Sequence, residues 1–320
     1  MKLINKTPYP AILFSAVLEE ESIGASVIAR VTFDVHQGIA TPAAKQVWAP
    51  SLQPFQSEYG LLEGDGVLHR GGVDILVFGS AKAPSGNPVK QMAVNVYFEN
   101  QRIHSIQVFG NRFWKKNLFG FSITEPEPFT EIPLTLDNAY GGQDEWDGLR
   151  FPYANNGAGK GFIWEKENVP GKPLPNLEDP SNLITKWDQR PDPAGVGMCP
   201  LNSARVMANV KVENGKLAHV SPRLFNVAFP PMVLDSVSPG QEIRLEGVTL
   251  NGDFRFKIPS ISLGANISVG DENWNDQLKI EQIGLIPDKQ QAFLTLRYTY
   301  QYDVIPFEKR FCELNELKNQ

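Results

Sequence analysis

Apolar and polar residues alternate with period two over residues 26–35, with Val27, Ala29, Val31, Phe33 and Val35 on one side and Ser26, Ile28, Arg30, Thr32 and Asp34 on the other. Successive side chains of a strand point to opposite faces, so this pattern predicts a half-buried strand. Residues 73–81, 91–98 and 254–258 read the same way, each bounded by Gly, Pro or Asn. The longest run places Ala292, Leu294, Leu296, Tyr298, Tyr300, Tyr302 and Val304 against Phe293, Thr295, Arg297, Thr299, Gln301 and Asp303. It predicts a long antiparallel strand with one wet face. Glu99-Asn100-Gln101 is short enough to join residues 91–98 to residues 102–109 as a hairpin.

The pattern changes over residues 116–200. Gly and Pro recur every few residues there, which excludes long regular strands. Tyr140, Trp146, Tyr153, Trp164 and Trp187 fall in the same stretch. A polar tether would lack such rings, so the segment is expected to be ordered irregular structure packed on the sheets. Helix is scarce: residues 180–187 have room for two turns, and Phe307, Phe311 and Leu314 in residues 307–317 share one helical face. No repeat of fixed period occurs. The expected fold is mainly β, with antiparallel sheets in two sandwich-like lobes, residues 1–115 and 201–320, around the middle segment 116–200. One integrated domain is the alternative.

Composition fits a folded chain: of 320 residues, 42% are hydrophobic and 21% charged. The net charge of −6 makes nucleic acid a poor partner. The N-terminus lacks the apolar core of a signal peptide, and no apolar run approaches the roughly 18 residues of a membrane helix. A cytoplasmic protein without a membrane partner is therefore expected. Cys199 and Cys312 have no paired spacing and are read as reduced thiols, with a disulfide as the alternative.

Candidate chemistry is sparse. His36, His69, His104 and His219 sit in separate segments without metal-site spacing. Gly157-Ala158-Gly159-Lys160-Gly161 resembles a phosphate loop in composition, but Gly161 stands where Ser or Thr is needed, so a structural turn is the better reading. Asp144, Glu145 and Asp147, with Glu178 and Asp179, leave a glycosidase-type carboxylate pair open. Asp188, Arg190 and Asp192 read as a charged brace of a proline-rich loop. Residues 109–116 mix basic and aromatic side chains and are read as a strand end, its rings entering the core and Arg112 bracing a loop. No metal or other cofactor is expected.

Several segments, taken in order, resemble the bacterial DUF2169 family, a domain of unknown function. Residues 73–81 followed by Ala83-Pro84-Ser85-Gly86 look like its strand and turn, and Gly110-Asn111-Arg112-Phe113-Trp114 is similar to its Gly-Asp-Arg-x-Trp. Pro133-Leu134, Ala139-Tyr140-Gly141-Gly142, residues 155–162 and Leu174-Pro175-Asn176-Leu177-Glu178-Asp179-Pro180 resemble its middle section. Arg190-Pro191-Asp192-Pro193-Ala194-Gly195 and Phe225-Asn226-x-Ala228 resemble two later motifs. Asn111, Asp137-Asn138 and Pro230-Pro231-Met232 depart from the family pattern, which weakens the case for a shared polar site and leaves the strands untouched.

The resemblance implies a non-enzymatic adaptor or chaperone that binds a type VI secretion effector, a spike-tip protein, or both, and helps load the effector onto the spike. On that reading the partner-binding or loop-bracing residues are Arg112, Trp114, Asn155, Gly159, Gly161, Pro175, Asn176, Glu178, Trp187, Arg190 and Pro191. The rivals are a carboxylate-based glycoside or peptidoglycan-processing enzyme and a structural baseplate or spike component.

Overall fold

The computed structural model describes residues 1–19, 21–304 and 309–317. The alternating segments form strands, except that residues 73–81 break at Phe78-Gly79 into Val73–Val77 and Ser80–Lys82 of different sheets, and the protein is mainly β. Ser22–His36 and Gln291–Asp303 pair antiparallel along their length at the centre of a seven-stranded sheet. Ala11–Glu19 and Ile39–Pro42 pair with the former; Lys279–Ile286, Val73–Val77 and Val233–Leu234 follow the latter in that order. Only the pairing of Lys279–Ile286 with Val73–Val77 is parallel in this sheet.

A five-stranded antiparallel sheet runs Leu177–Glu178, Gln101–Phe109, Gln91–Phe98, Glu242–Glu246, Phe254–Lys257. Its central hairpin turns at Glu99, whose φ of 56° suits a tight turn. A four-stranded sheet runs Lys2–Asn5, Arg310–Glu316, Leu263–Val269, Glu272–Gln277. Strands from residues 1–115 and 201–320 thus lie side by side within the same sheets, and one apolar cluster joins all three.

The face predicted to be wet on the two long strands is wet only toward its ends, where Gln301 and Asp303 are exposed and Asp34 and Thr299 half-buried. Arg30, Thr32, Thr295 and Arg297 are buried along with the apolar residues, because loop residues 43–70 cover that face. Burial is made tolerable by pairing: Arg30 meets Asp65 at 2.8 Å, and Arg297 grips both carboxylate oxygens of Glu281 at 2.6 and 2.7 Å. Arg70 lies between Asp65, Asp74 and Glu281, so three guanidinium groups face three carboxylates. Asp74 also accepts the amides of Val227 and Ala228 and the side chain of Asn226.

Both helix expectations fail. Residues 310–316 form a strand in which Cys312 and Leu314 are buried at alternate positions, held between two partner strands; Phe307 lies outside the described residues. Residues 180–187 form turns, because Glu178 takes the Ile184 amide and Gln189 takes those of Thr185 and Lys186. Among the described residues the α-helix is Ser203–Asn209, capped by Asn202 accepting from the Arg205 amide at 2.9 Å. Cys199 and Cys312 are free and buried.

Candidate functional site

Residues 116–200 share with Trp114 a second apolar cluster, in which Trp114, Tyr140, Phe162, Ile163, Val169, Leu174 and Ile184 are buried. Its placement depends on a few polar side chains. Arg112 donates to Glu178 and to the Pro175 carbonyl, at 2.9 Å for the latter, and its guanidinium lies 3.7 Å from the Phe109 ring centroid. Burial pushes the Glu178 carboxyl up from its ordinary range, against the opposing charge of Arg112. Asn176 exchanges hydrogen bonds with the Phe109 backbone in both directions, at 2.8 Å each, which ties this knot to the five-stranded sheet. Arg112, Trp114, Pro175, Asn176 and Glu178 therefore meet in one interior assembly.

A second group sits around the glycine-rich loop. Gly161 has φ +100°, and a Cβ there would lie 2.7 Å from Pro175 Cδ. A Cβ on Gly159 would meet Asn156 Nδ2 at 2.5 Å and the Ala139 carbonyl oxygen at 2.6 Å. Small residues let the loop lie against Tyr140-Gly141 as a parallel bridge. Gly159 and Gly161 line a hollow of about 340 Å³ with Lys160 and Lys172. The lysines are committed elsewhere, Lys160 Nζ to Asn138 at 2.8 Å and Lys172 Nζ to Asp144 at 2.8 Å.

Trp187, Arg190 and Pro191 close the assembly from the other side. Arg190 donates to the carbonyls of Trp187, Gln189 and Ile163, and its guanidinium lies 5.0 Å from the Phe162 ring centroid. The Tyr153 hydroxyl donates to the Pro191 carbonyl at 3.0 Å, and that of Tyr140 to Gln189 at 2.8 Å. Burial pushes the Tyr140 phenol up to about 12, so it stays a donor. Asn155 stands apart, bridging Asp192 and Ser203 at 2.8 Å each.

Asp144, Glu178 and Asp179 of the middle segment are also occupied. Asp144 is buried and accepts from the Trp164 amide, Asn168 Nδ2 and Lys172 Nζ within 2.9 Å. Burial opposes its charge, but the hydrogen bonds from Asn168, Lys172 and Trp164 outweigh it and hold the carboxyl down at about 2. Asp179 caps Ser181, and Glu178 is paired with Arg112. His104 contacts the Gly195 carbonyl at 2.9 Å, and burial lowers its pKa. Among the described residues no three His, Cys, Asp or Glu side chains converge as metal ligands.

Two features escape the sequence patterns. One is a cleft of about 770 Å³ between residues 56–63, 133–137, 154–158 and 194–201, which Asn155 lines. Phe78, Leu134 and Phe229 are buried in its walls, while Leu61 and Leu201 are exposed among its lining residues. The other is the hairpin Trp114–Asn117 and Gly120–Ile123. Its root is Trp114, buried, and its tip is Leu118 and Phe119, 96% and 100% exposed. Asn117 Oδ1 accepts from the Phe119 amide at 3.0 Å, which fixes the turn. Asn-Leu-Phe-Gly is a readable turn signal, although which side chains it projects depends on where Trp114 is anchored.

No curated protein and no solved structure matches this chain. Residues 21–297 match the family described as "Uncharacterized protein conserved in bacteria (DUF2169)". That match spans most of the chain and includes the five-stranded sheet, most of the seven-stranded sheet and the braced middle segment, so the protein belongs to the DUF2169 family.

Proposed function

We propose that this protein is a non-enzymatic adaptor or chaperone that binds a type VI secretion effector and helps load it onto the spike complex. The secretion role rests on the motif resemblance given above. The observation that carries protein binding is the hairpin tip: Leu118 and Phe119 stand in water on a turn whose root is buried and whose conformation is fixed by Asn117. Burying such a side chain against a partner contributes about 1.5–3 kcal/mol, and a preset turn gives up little entropy on binding. Lys115 and Lys116 flank the tip and make no ion pair among the described residues, so they are available to a partner's carboxylates.

The residues named from the sequence then act mainly as braces that aim this surface. The test is to express the tagged chain in its native cytoplasm and identify what co-purifies. A stoichiometric effector or spike-tip protein is the expected result. Absence of any such partner, under conditions that express the secretion genes, overturns the reading.

A further inference from the structure

The hairpin Gln143–Trp146 and Leu149–Pro152 pairs Trp146 with Leu149 and Asp144 with Phe151. Trp146, Leu149 and Phe151 therefore share one face, since alternate residues of a strand point the same way. Trp164 lies flat on Phe151, with ring centroids 4.4 Å apart and planes 6° from parallel. Trp146, Leu149 and Trp164 are 39%, 62% and 46% exposed, so four large apolar side chains form one partly open surface.

This surface is rigidly held. Asp144, on the same hairpin, fixes the Trp164 amide at 2.8 Å, and Asn168 links Asp144 to the Glu145 carbonyl at 2.9 Å each. Asp147, Glu165 and Glu167 lie on the same two segments, against Lys166, and none of the three carboxylates makes an ion pair among the described residues, while Glu145 and Arg150 sit opposite each other on the hairpin's other face. An aromatic face with unpaired carboxylates around it attracts cations by charge and by their approach to the indole rings.

We infer that Trp146, Leu149, Phe151 and Trp164 form a docking platform for a cationic, apolar segment of a partner protein, with Lys or Arg beside Leu or an aromatic residue. The inference rests on the protein-binding reading above and adds the place and the chemistry. Rigid aromatic anchors surrounded by charge are how protein interfaces concentrate affinity. A carbohydrate is the other class that stacks on such rings, and the test includes it.

The test selects a phage library of random 12-residue peptides on the immobilised full-length protein. Binding of the selected peptides is then measured with Trp146→Ser, Leu149→Ser and the double reversal Asp147→Lys/Glu165→Lys. All four altered side chains are polar-exposed or partly open, and Leu149→Ser guards against misfolding of the tryptophan variant. The expected result is enrichment of peptides carrying Lys or Arg next to apolar residues. Their affinity should fall at least tenfold in Trp146→Ser and severalfold in Leu149→Ser and in the double reversal, and should weaken with added salt.

Selected peptides without cationic residues, or affinity unchanged in folded Trp146→Ser and Leu149→Ser, would overturn the inference. So would chitohexaose shifting the Trp146 and Trp164 indole resonances when the peptides do not. A native partner that co-purifies equally with wild type and with these variants would leave the adaptor reading standing and refute the platform.

Discussion

The seven-stranded sheet and the middle segment bury similar side chains by different means. In the sheet, Ser22–His36 and Gln291–Asp303 set each other's register over their whole length, and apolar contacts follow from that ladder. Apart from Leu177–Glu178 at the edge of the five-stranded sheet, residues 116–200 have only short two-stranded ladders, so Arg112, Asn176, Asp144, Asn156 and Arg190 supply hydrogen bonds that a sheet would otherwise provide. Polar side chains that satisfy backbone carbonyls and amides let an irregular chain pack without orphaned groups. They also free it to present Leu118, Phe119, Trp146 and Trp164 outward, which a closed sheet face cannot do. Order at the braces and exposure at the tips are two results of one arrangement.

The contrast breaks most visibly at Arg112. Arg112→Ala leaves the buried Glu178 carboxylate without its cation and should lower stability by about 3–5 kcal/mol, read by urea unfolding. If the two regions differ as described, hydrogen exchange should rise first in residues 138–178 and last in the central strands. Phe293→Ala, in the sheet core, should cost about as much, roughly 3–5 kcal/mol, and loosen both regions together.

Asp144→Asn removes a charged acceptor of three donors and should cost about 1.5–3 kcal/mol. Its pH dependence sharpens the comparison. Because the folded carboxyl sits at about 2 against an ordinary 3.8, its contribution is complete above the ordinary value and is lost as pH falls toward 2. Wild-type stability should decline across that window more steeply than that of the Asn variant, in parallel urea titrations.

Gly161→Ala should cost about 1–3 kcal/mol, since φ is +100° and the added Cβ meets Pro175. Thermal unfolding of the variant measures it. The smallest stability change is expected at the tip, where Phe119→Ser should stay within about 0.5 kcal/mol of wild type. The same variant should weaken a captured partner at least tenfold, measured by titration calorimetry, so binding and stability separate there.

The period-two runs made the strands legible, because alternation is a local property. Burial of the second face was not legible: Arg30 and Arg297 read as solvent-facing until Asp65, in the covering loop, and Glu281, on the neighbouring strand, are placed beside them. The helix expected at residues 307–317 failed for a related reason. Phe311 and Leu314 fit a helical spacing, while the neighbouring strands Lys2–Asn5 and Leu263–Val269 that decide the outcome lie elsewhere in the chain. Around the middle segment, the bracing by Arg112 and the burial of Trp114 were readable from the strand end at residues 109–116, but Phe113, read there as entering the core, is 37% exposed, and Arg190 braces its loop through the carbonyls of Trp187, Gln189 and Ile163 instead of through Asp188 and Asp192. The outward tips were not readable, since an exposed Phe119 and a buried Trp114 carry the same local signal.

The most direct test is amide hydrogen exchange of the free, full-length protein, read over residues 138–142, 160–163 and 174–178. A braced, fixed middle segment predicts protection there within about an order of magnitude of the five-stranded sheet, lost on Arg112→Ala while the seven-stranded sheet stays protected. Exchange at open-chain rates in the wild type would contradict the account, because a loose segment could not hold Phe119 or Trp164 in place for a partner.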